Sequence, residues 1–83
     1  MSFSSVSNSE KKTAIQGALV DLERTLYKLV SQLGVDPDGF NRSTFSFDPS
    51  SSDEVDPEFH IKKQIDATLA KMATLEAKIE QLS

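Results

Sequence analysis

The sequence predicts an all-α fold, in which two long amphipathic helices joined by a long acidic linker associate as a helical bundle or coiled coil. Two runs of apolar residues recur at alternating spacings of four and three, the period of a coiled-coil seam. Capping residues precede both runs. We divide the 83-residue chain into a flexible serine-rich N-terminus (1–6), helix one (7–33), an acidic linker (34–56) and helix two (57–83).

Helix one is predicted to begin at Ser7, because Ser7 and Glu10 have the spacing of a capping box. Gly34 suits the end of the helix, and Pro37 prevents its continuation. Val30 and other apolar residues widen the stripe beyond what a two-stranded coiled coil needs, which predicts a bundle of more than two helices. The seam consists of Ile15, Leu19, Leu22, Leu26, Leu29 and Leu33.

Helix two is predicted to begin at Asp56, a favourable N-cap residue. Pro57 suits the first helical position, because its missing N–H group would have no partner there, and Glu58 faces the positive end of the helix dipole. The seam of this helix consists of Ile61, Ile65, Thr68, Met72, Leu75, Ile79 and Leu82.

The linker concentrates the negative charge of the chain, since Arg42 is its only basic residue. Residues 35–39 predict a turn, and residues 48–54 are typical of a flexible spacer. Phe45 and Phe47 alternate with polar residues at the period of a strand. The acidic residues of the linker are Asp36, Asp38, Asp48, Asp53, Glu54 and Asp56.

Three aromatic residues, Phe40, Phe45 and Phe47, are unusual in an acidic, serine-containing linker, because solvated spacers are depleted in aromatic residues. Two interpretations remain open. The rings either fold back onto the grooves of the chain's own bundle, or dock on a partner protein by filling a pocket or adding a strand. The linker is also long enough to place the second helix parallel or antiparallel to the first.

Composition and charge disfavour several functions. The net charge is −4 and the helical segments are charge-balanced, so we expect no binding to nucleic acid or to a membrane surface. The chain has no cysteine and a single histidine, His60, so we expect no metal site and no cofactor. The acidic turn at residues 36–41 lacks the ligand spacing of a calcium-binding loop. We expect no catalytic residues and no enzymatic activity, because no nucleophile, base and orienting group are predicted to share a pocket.

The predicted function is that of a non-enzymatic structural or assembly subunit, acting as a spacer, connector or scaffold in a larger complex. A chain with only two helices has no third element to cover its apolar stripes, so we expect a homo-oligomer or incorporation into a larger protein assembly. The alternative is a small regulatory adaptor or chaperone whose apolar helix face binds a client helix. The predicted oligomer interface consists of Ile15, Leu19, Leu22, Leu26, Leu29, Val30, Leu33, Ile61, Ile65, Leu69, Met72, Leu75, Ile79 and Leu82.

The predicted location is intracellular, in the cytoplasm or as a component of a virion. The N-terminal segment lacks the basic and apolar regions of a signal peptide. No apolar run approaches the ~18 residues that span a membrane.

Overall fold

The computed structural model describes residues 3–83 and shows two α-helices packed against each other. Helix α1 spans Asn8–Ser31 and helix α2 spans Phe59–Gln81, with a short 3-10 helix at Pro37–Gly39. No strand is present within residues 3–83, which confirms the all-α fold. Of the N-terminal segment that we predicted to be flexible, residues 1–2 lie outside the described residues. Residues 3–6 form a turn in which the N–H of Val6 donates to the carbonyl of Phe3 at 3.0 Å.

The start of α1 is set by the capping box at Ser7 and Glu10. The Ser7 Oγ accepts a hydrogen bond from the N–H of Glu10 at 3.1 Å, and the Glu10 Oε1 accepts one from the N–H of Ser7 at 3.4 Å. At the other end, the N–H of Leu33 donates to the carbonyl of Val30 in a tighter turn, and Gly34 has a φ of 75°. The α-helix therefore ends two residues before the predicted boundary, because its final turn is of the 3-10 type.

Asp56 caps a single turn that leads into α2, rather than the α-helix itself. Its Oδ1 accepts a hydrogen bond from the N–H of Glu58 at 2.9 Å, and its carbonyl accepts one from the N–H of Phe59 at 3.0 Å. The regular α-helix begins at Phe59, two residues after the predicted start at Pro57. Assigned helix ends commonly differ by this amount where the first turn is tight.

The two helices are antiparallel. Ile15, early in α1, lies beside the same cavity as Lys78, late in α2. Leu33, just after α1, shares another cavity with Lys62 in the first turn of α2. The molecule is an elongated hairpin with dimensions of 49 × 27 × 19 Å. The structure thus shows the relative direction of the two helices, which the length of the linker did not determine.

The core lies in the half of the hairpin next to the linker, which we call the linker half. Ile65 is 0% exposed and Val30 is 1% exposed. Thr68 is also buried, and its hydroxyl donates to the carbonyl of Gln64 at 2.8 Å. The buried apolar residues are Leu26, Leu29, Val30, Ile65 and Met72.

At the opposite end, residues 3–22 and 73–83 form what we call the open half. Its apolar residues follow the same spacing but are only partly buried, because no other segment of the described chain covers them. The partly buried seam residues of this half are Ile15, Leu19, Leu22, Leu75, Ile79 and Leu82.

The linker is a series of turns closed by local hydrogen bonds. The side-chain oxygens of Asp36, Asn41, Asp48 and Asp56 each accept a hydrogen bond from the N–H two residues ahead, at 2.9 to 3.0 Å. Asn and Asp favour such turns because a short side-chain oxygen satisfies a nearby backbone donor. These turns allow the linker to fold compactly beside the hairpin.

The segment around Phe45 shows the predicted alternation without forming a strand. Phe45 and Phe47 are partly buried and Ser46 between them is exposed. The segment is extended, but no second strand lies beside it in the described chain to form a ladder.

Candidate helix-binding groove

Two grooves run along the hairpin between α1 and α2, one on each side. The first, which we call the covered groove, is lined on α1 by Glu23, Tyr27 and Val30. Pro37 and Phe40 of the linker lie over it. The linker therefore covers part of this groove, as in the interpretation in which its rings fold back onto the grooves of the chain's own bundle.

An ion pair holds the linker over the covered groove. The Arg42 guanidinium donates to both carboxylate oxygens of Glu76, at 2.9 and 3.3 Å. This hydrogen bonding raises the pKa of Arg42, to which nearby Glu23 also contributes, and lowers the pKa of Glu76. Because both side chains are more than 40% exposed, the pair orients the linker more than it stabilises the fold.

The linker phenylalanines lie against their own hairpin. The rings of Phe40 and Phe45 are 5.8 Å apart, and both pack on the buried core. Phe47 lies apart from them and contacts Phe59, the first residue of α2, with a ring separation of 5.3 Å. The structure thus brings two of the three predicted docking residues together on the chain's own core and places the third at the start of α2.

The second groove, which we call the open groove, has no linker residue among those that line it. A cavity of about 440 Å³ forms its middle, and a cavity of about 550 Å³ forms its end in the open half. Leu22 and Ile15 are seven residues apart, so they lie on the same side of α1, two turns from each other. The middle cavity is lined by Leu22, Ala70, Lys71, Thr74 and Leu75, and the end cavity by Phe3, Val6, Lys11, Ala14, Ile15 and Lys78.

The two grooves carry charges of opposite sign. Lys11, Lys71 and Lys78 line the open groove, and none of them is in an ion pair within residues 3–83. The covered groove instead has Glu23 and Glu76 along it, neutralised in part by Arg42 of the linker. The open groove is therefore an apolar channel with uncompensated positive charge on both walls.

The fourteen residues of the predicted oligomer interface form three groups in the structure: five are buried, six lie in the open half, and three are partly buried against the core in the linker half (Leu33, Ile61 and Leu69). The five buried members lie within one hairpin, and three of these also line the cavity of the covered groove (Leu26, Val30 and Met72); the other two are Leu29 and Ile65. Of the members in the open half, Ile15, Leu22 and Leu75 line the open groove. Sequence reasoning missed the lysines of the groove, although the seven-residue spacing of Lys71 and Lys78 placed them on one face of α2.

Residues 3–83 give little evidence for a metal site, a carboxylate site or a membrane-spanning helix. The structure shows no group of three or more His, Asp or Glu side chains that could hold a metal ion. The perturbed carboxylates belong to turns and surface ion pairs. Hydrogen bonding by the Ser50 hydroxyl lowers the pKa of Asp48, and the Lys62 ammonium at 2.8 Å lowers the pKa of Asp56. Among these residues, no helix has both the length and the apolar character to cross a membrane.

Comparison with known proteins found no matching family model, no matching curated protein and no matching solved structure. The function is therefore inferred from the hairpin and its grooves.

Proposed function

We propose that this chain is a non-enzymatic assembly protein whose open groove accepts a helix from another polypeptide. The observation that supports the proposal is the asymmetry of the hairpin. One groove is partly covered by the linker, which leaves a cavity of about 270 Å³ there, while the other exposes apolar side chains in two larger cavities. An amphipathic helix laid in an apolar groove is a common way to complete such a surface.

The energetic reason is the small size of the core. Chains of about 83 residues are marginally stable alone, and among residues 3–83 only five apolar side chains are buried. Complete burial of an exposed apolar side chain contributes about 1.5–3 kcal/mol before the entropic cost of association, and a side chain that is already partly buried contributes correspondingly less. A bound helix would supply that burial for Ile15, Leu22 and Leu75.

The added helix can come from either of two sources. A second copy of the chain would make a homo-oligomeric spacer, connector or scaffold, and the small core favours this source. A different polypeptide would make the chain an adaptor or chaperone. The lysines of the open groove favour the different polypeptide, because a symmetric pairing of two open grooves places like charges opposite one another.

Blocking the open groove tests the proposal. Thr74 is exposed and lines the groove, so Thr74→Arg fills it without altering the core. Ala77 is also exposed but does not line the groove, so Ala77→Arg is the matched control. We expect the wild-type chain to bind a hydrophobic dye, Thr74→Arg to bind much less, and Ala77→Arg to bind as the wild type does.

Urea denaturation establishes that both variants remain folded. Sedimentation equilibrium at micromolar concentrations then separates the two sources of the helix. A wild-type oligomer that Thr74→Arg dissociates identifies a second copy as the occupant, whereas a dye-binding monomer identifies a different polypeptide. Equal dye binding by a monomeric wild-type chain and both variants would contradict the proposal, because the groove would then not be an accessible apolar surface.

A further inference from the structure

We infer that the occupant of the open groove is an amphipathic helix of another protein, with carboxylates on both flanks of its apolar stripe. The inference rests on the proposed function and adds the chemistry of the partner. It is carried by the combination of an apolar floor with unpaired lysines on two separate helices.

The floor of the groove matches the repeat of a bound helix. Ile15 and Leu22 on α1 are separated by two turns, or about 10 Å. A partner helix with apolar residues at positions i, i+3 or i+4, and i+7 presents side chains over the same distance. The middle and end cavities lie in line along the groove, so successive apolar side chains of one helix fill one and then the other.

The lysines on the walls of the groove favour a partner helix with negative charge. Lys11 projects from α1, and Lys71 and Lys78 project from α2, so both sides of a bound helix face an ammonium group. The aliphatic part of a lysine packs along an apolar surface while its charge stays near water. Asp21, which is 3.7 Å from Arg24, lines neither cavity, so the residues that line the cavities offer the lysines no compensating carboxylate. Carboxylates on the partner would provide that compensation.

A second copy of this chain fits the groove less well. Its own helices bring Glu23 and Glu76 to the opposite side, where the linker already lies. The linker is acidic, but it is folded into turns rather than a helix, and the side chains of Asp36 and Asp48 accept hydrogen bonds within those turns. Glu10, Asp66 and Glu80 are exposed on its helices, but the apolar stripes of these helices pack against each other in the hairpin. A free apolar stripe flanked by carboxylates therefore belongs to a different polypeptide.

Two labelled synthetic peptides test the inference on the full chain. Both form a helix with the same leucine pattern, and one has glutamates beside the leucines where the other has lysines. We expect fluorescence anisotropy to show about tenfold tighter binding of the glutamate peptide at low salt, as two or three partly exposed ion pairs would produce. High salt should reduce this difference, because screening weakens exposed charge pairs.

Charge reversal in the groove provides the decisive comparison. The double variant Lys71→Glu and Lys78→Glu should lose the preference for the glutamate peptide and favour the lysine peptide. The control reverses Lys28 and Lys63 to glutamate, which changes the net charge equally at exposed residues that line neither cavity of the groove. This control should keep the wild-type preference.

The failures of the two proposals are distinguishable. Equal binding of both peptides overturns the inferred partner chemistry but leaves a helix-binding groove. Binding of neither peptide overturns the proposed function as well. Self-association that the lysine reversals abolish would identify the acidic part of a second copy as the occupant. Displacement of the glutamate peptide by a DNA oligonucleotide of equal charge would show that the groove recognises charge without recognising a helix.

Discussion

Shortening one isoleucine in each half of α2 measures where the fold is held together. Ile65 is 0% exposed in the linker half, whereas Ile79 is only partly buried in the open half. The two residues are fourteen positions apart on the same face of one helix, so Ile65→Val and Ile79→Val make the same chemical change in different surroundings. Valine retains the shape and most of the volume of isoleucine, which keeps both variants folded.

The magnitudes follow from burial. Removing a methylene group from a closed core costs about 1 kcal/mol, because apolar contact is lost and a small cavity remains. At Ile79 the cost should be about half of that or less, since water and neighbouring side chains can fill the vacated space. For a domain of this size, with an m value of about 1 kcal/mol/M, Ile65→Val should lower the urea midpoint by about 1 M.

Urea denaturation followed by circular dichroism at low protein concentration gives both midpoints. A fixed m value would show that the difference reflects stability rather than a change in the unfolded state. Equal losses for the two variants would refute the placement of the core in the linker half.

Three further predictions concern the backbone, the linker and pH. Gly17→Ala should raise the unfolding free energy by about 0.5–1 kcal/mol, because Gly17 lies inside α1 with open space around it, and Gly34→Ala should lower it by about 1–2 kcal/mol because φ is positive there. Thermal melting measures both, and the same sign of change for the two variants would contradict the assigned backbone conformations. Phe45→Ser should lower the melting temperature because the ring packs on the core; an unchanged melting temperature would favour the alternative that Phe45 serves a partner. The Lys62 ammonium lowers the pKa of Asp56 in the folded chain. The stabilisation from that carboxylate is therefore present at pH values above its pKa in the unfolded chain, about 4, and is lost as the pH falls through its lower pKa in the folded chain. Asp56→Asn keeps an acceptor oxygen but removes the charge, so its melting temperature should depend less on acidic pH; an unchanged dependence would exclude this carboxylate as a source of acid sensitivity.

Local features of this fold are predictable from the sequence. The capping box at Ser7 and Glu10, the left-handed Gly34 and the turn at Pro37 depend on contacts within a few residues. Such contacts do not require the rest of the chain to be folded, which is why spacing alone locates them. Asp56 was correctly placed before helix two, but its side chain caps a preceding turn, so the regular helix begins later.

The candidate groove was only partly predictable. The spacing of four and three placed the apolar residues on one face of each helix, as the partly buried Ile15 and Leu75 show. The spacing alone did not distinguish these partly buried residues from the buried Ile65 and Met72, because identical spacing occurs in both halves of the hairpin. The contribution of the lysines was also missed, because a surface lysine acquires a role only from the helix opposite it.

The amino-acid order by itself determined two helices, their caps and the apolar face of each, because these properties arise from neighbouring residues and from the helical repeat. Tertiary structure alone decided that the helices are antiparallel and that Arg42 and Phe40 hold the linker over one groove. It also decided which half of the hairpin is closed. These outcomes depend on contacts between residues far apart in the chain, such as Arg42 and Glu76, and no local pattern specifies which of the two equivalent grooves a long linker will cover.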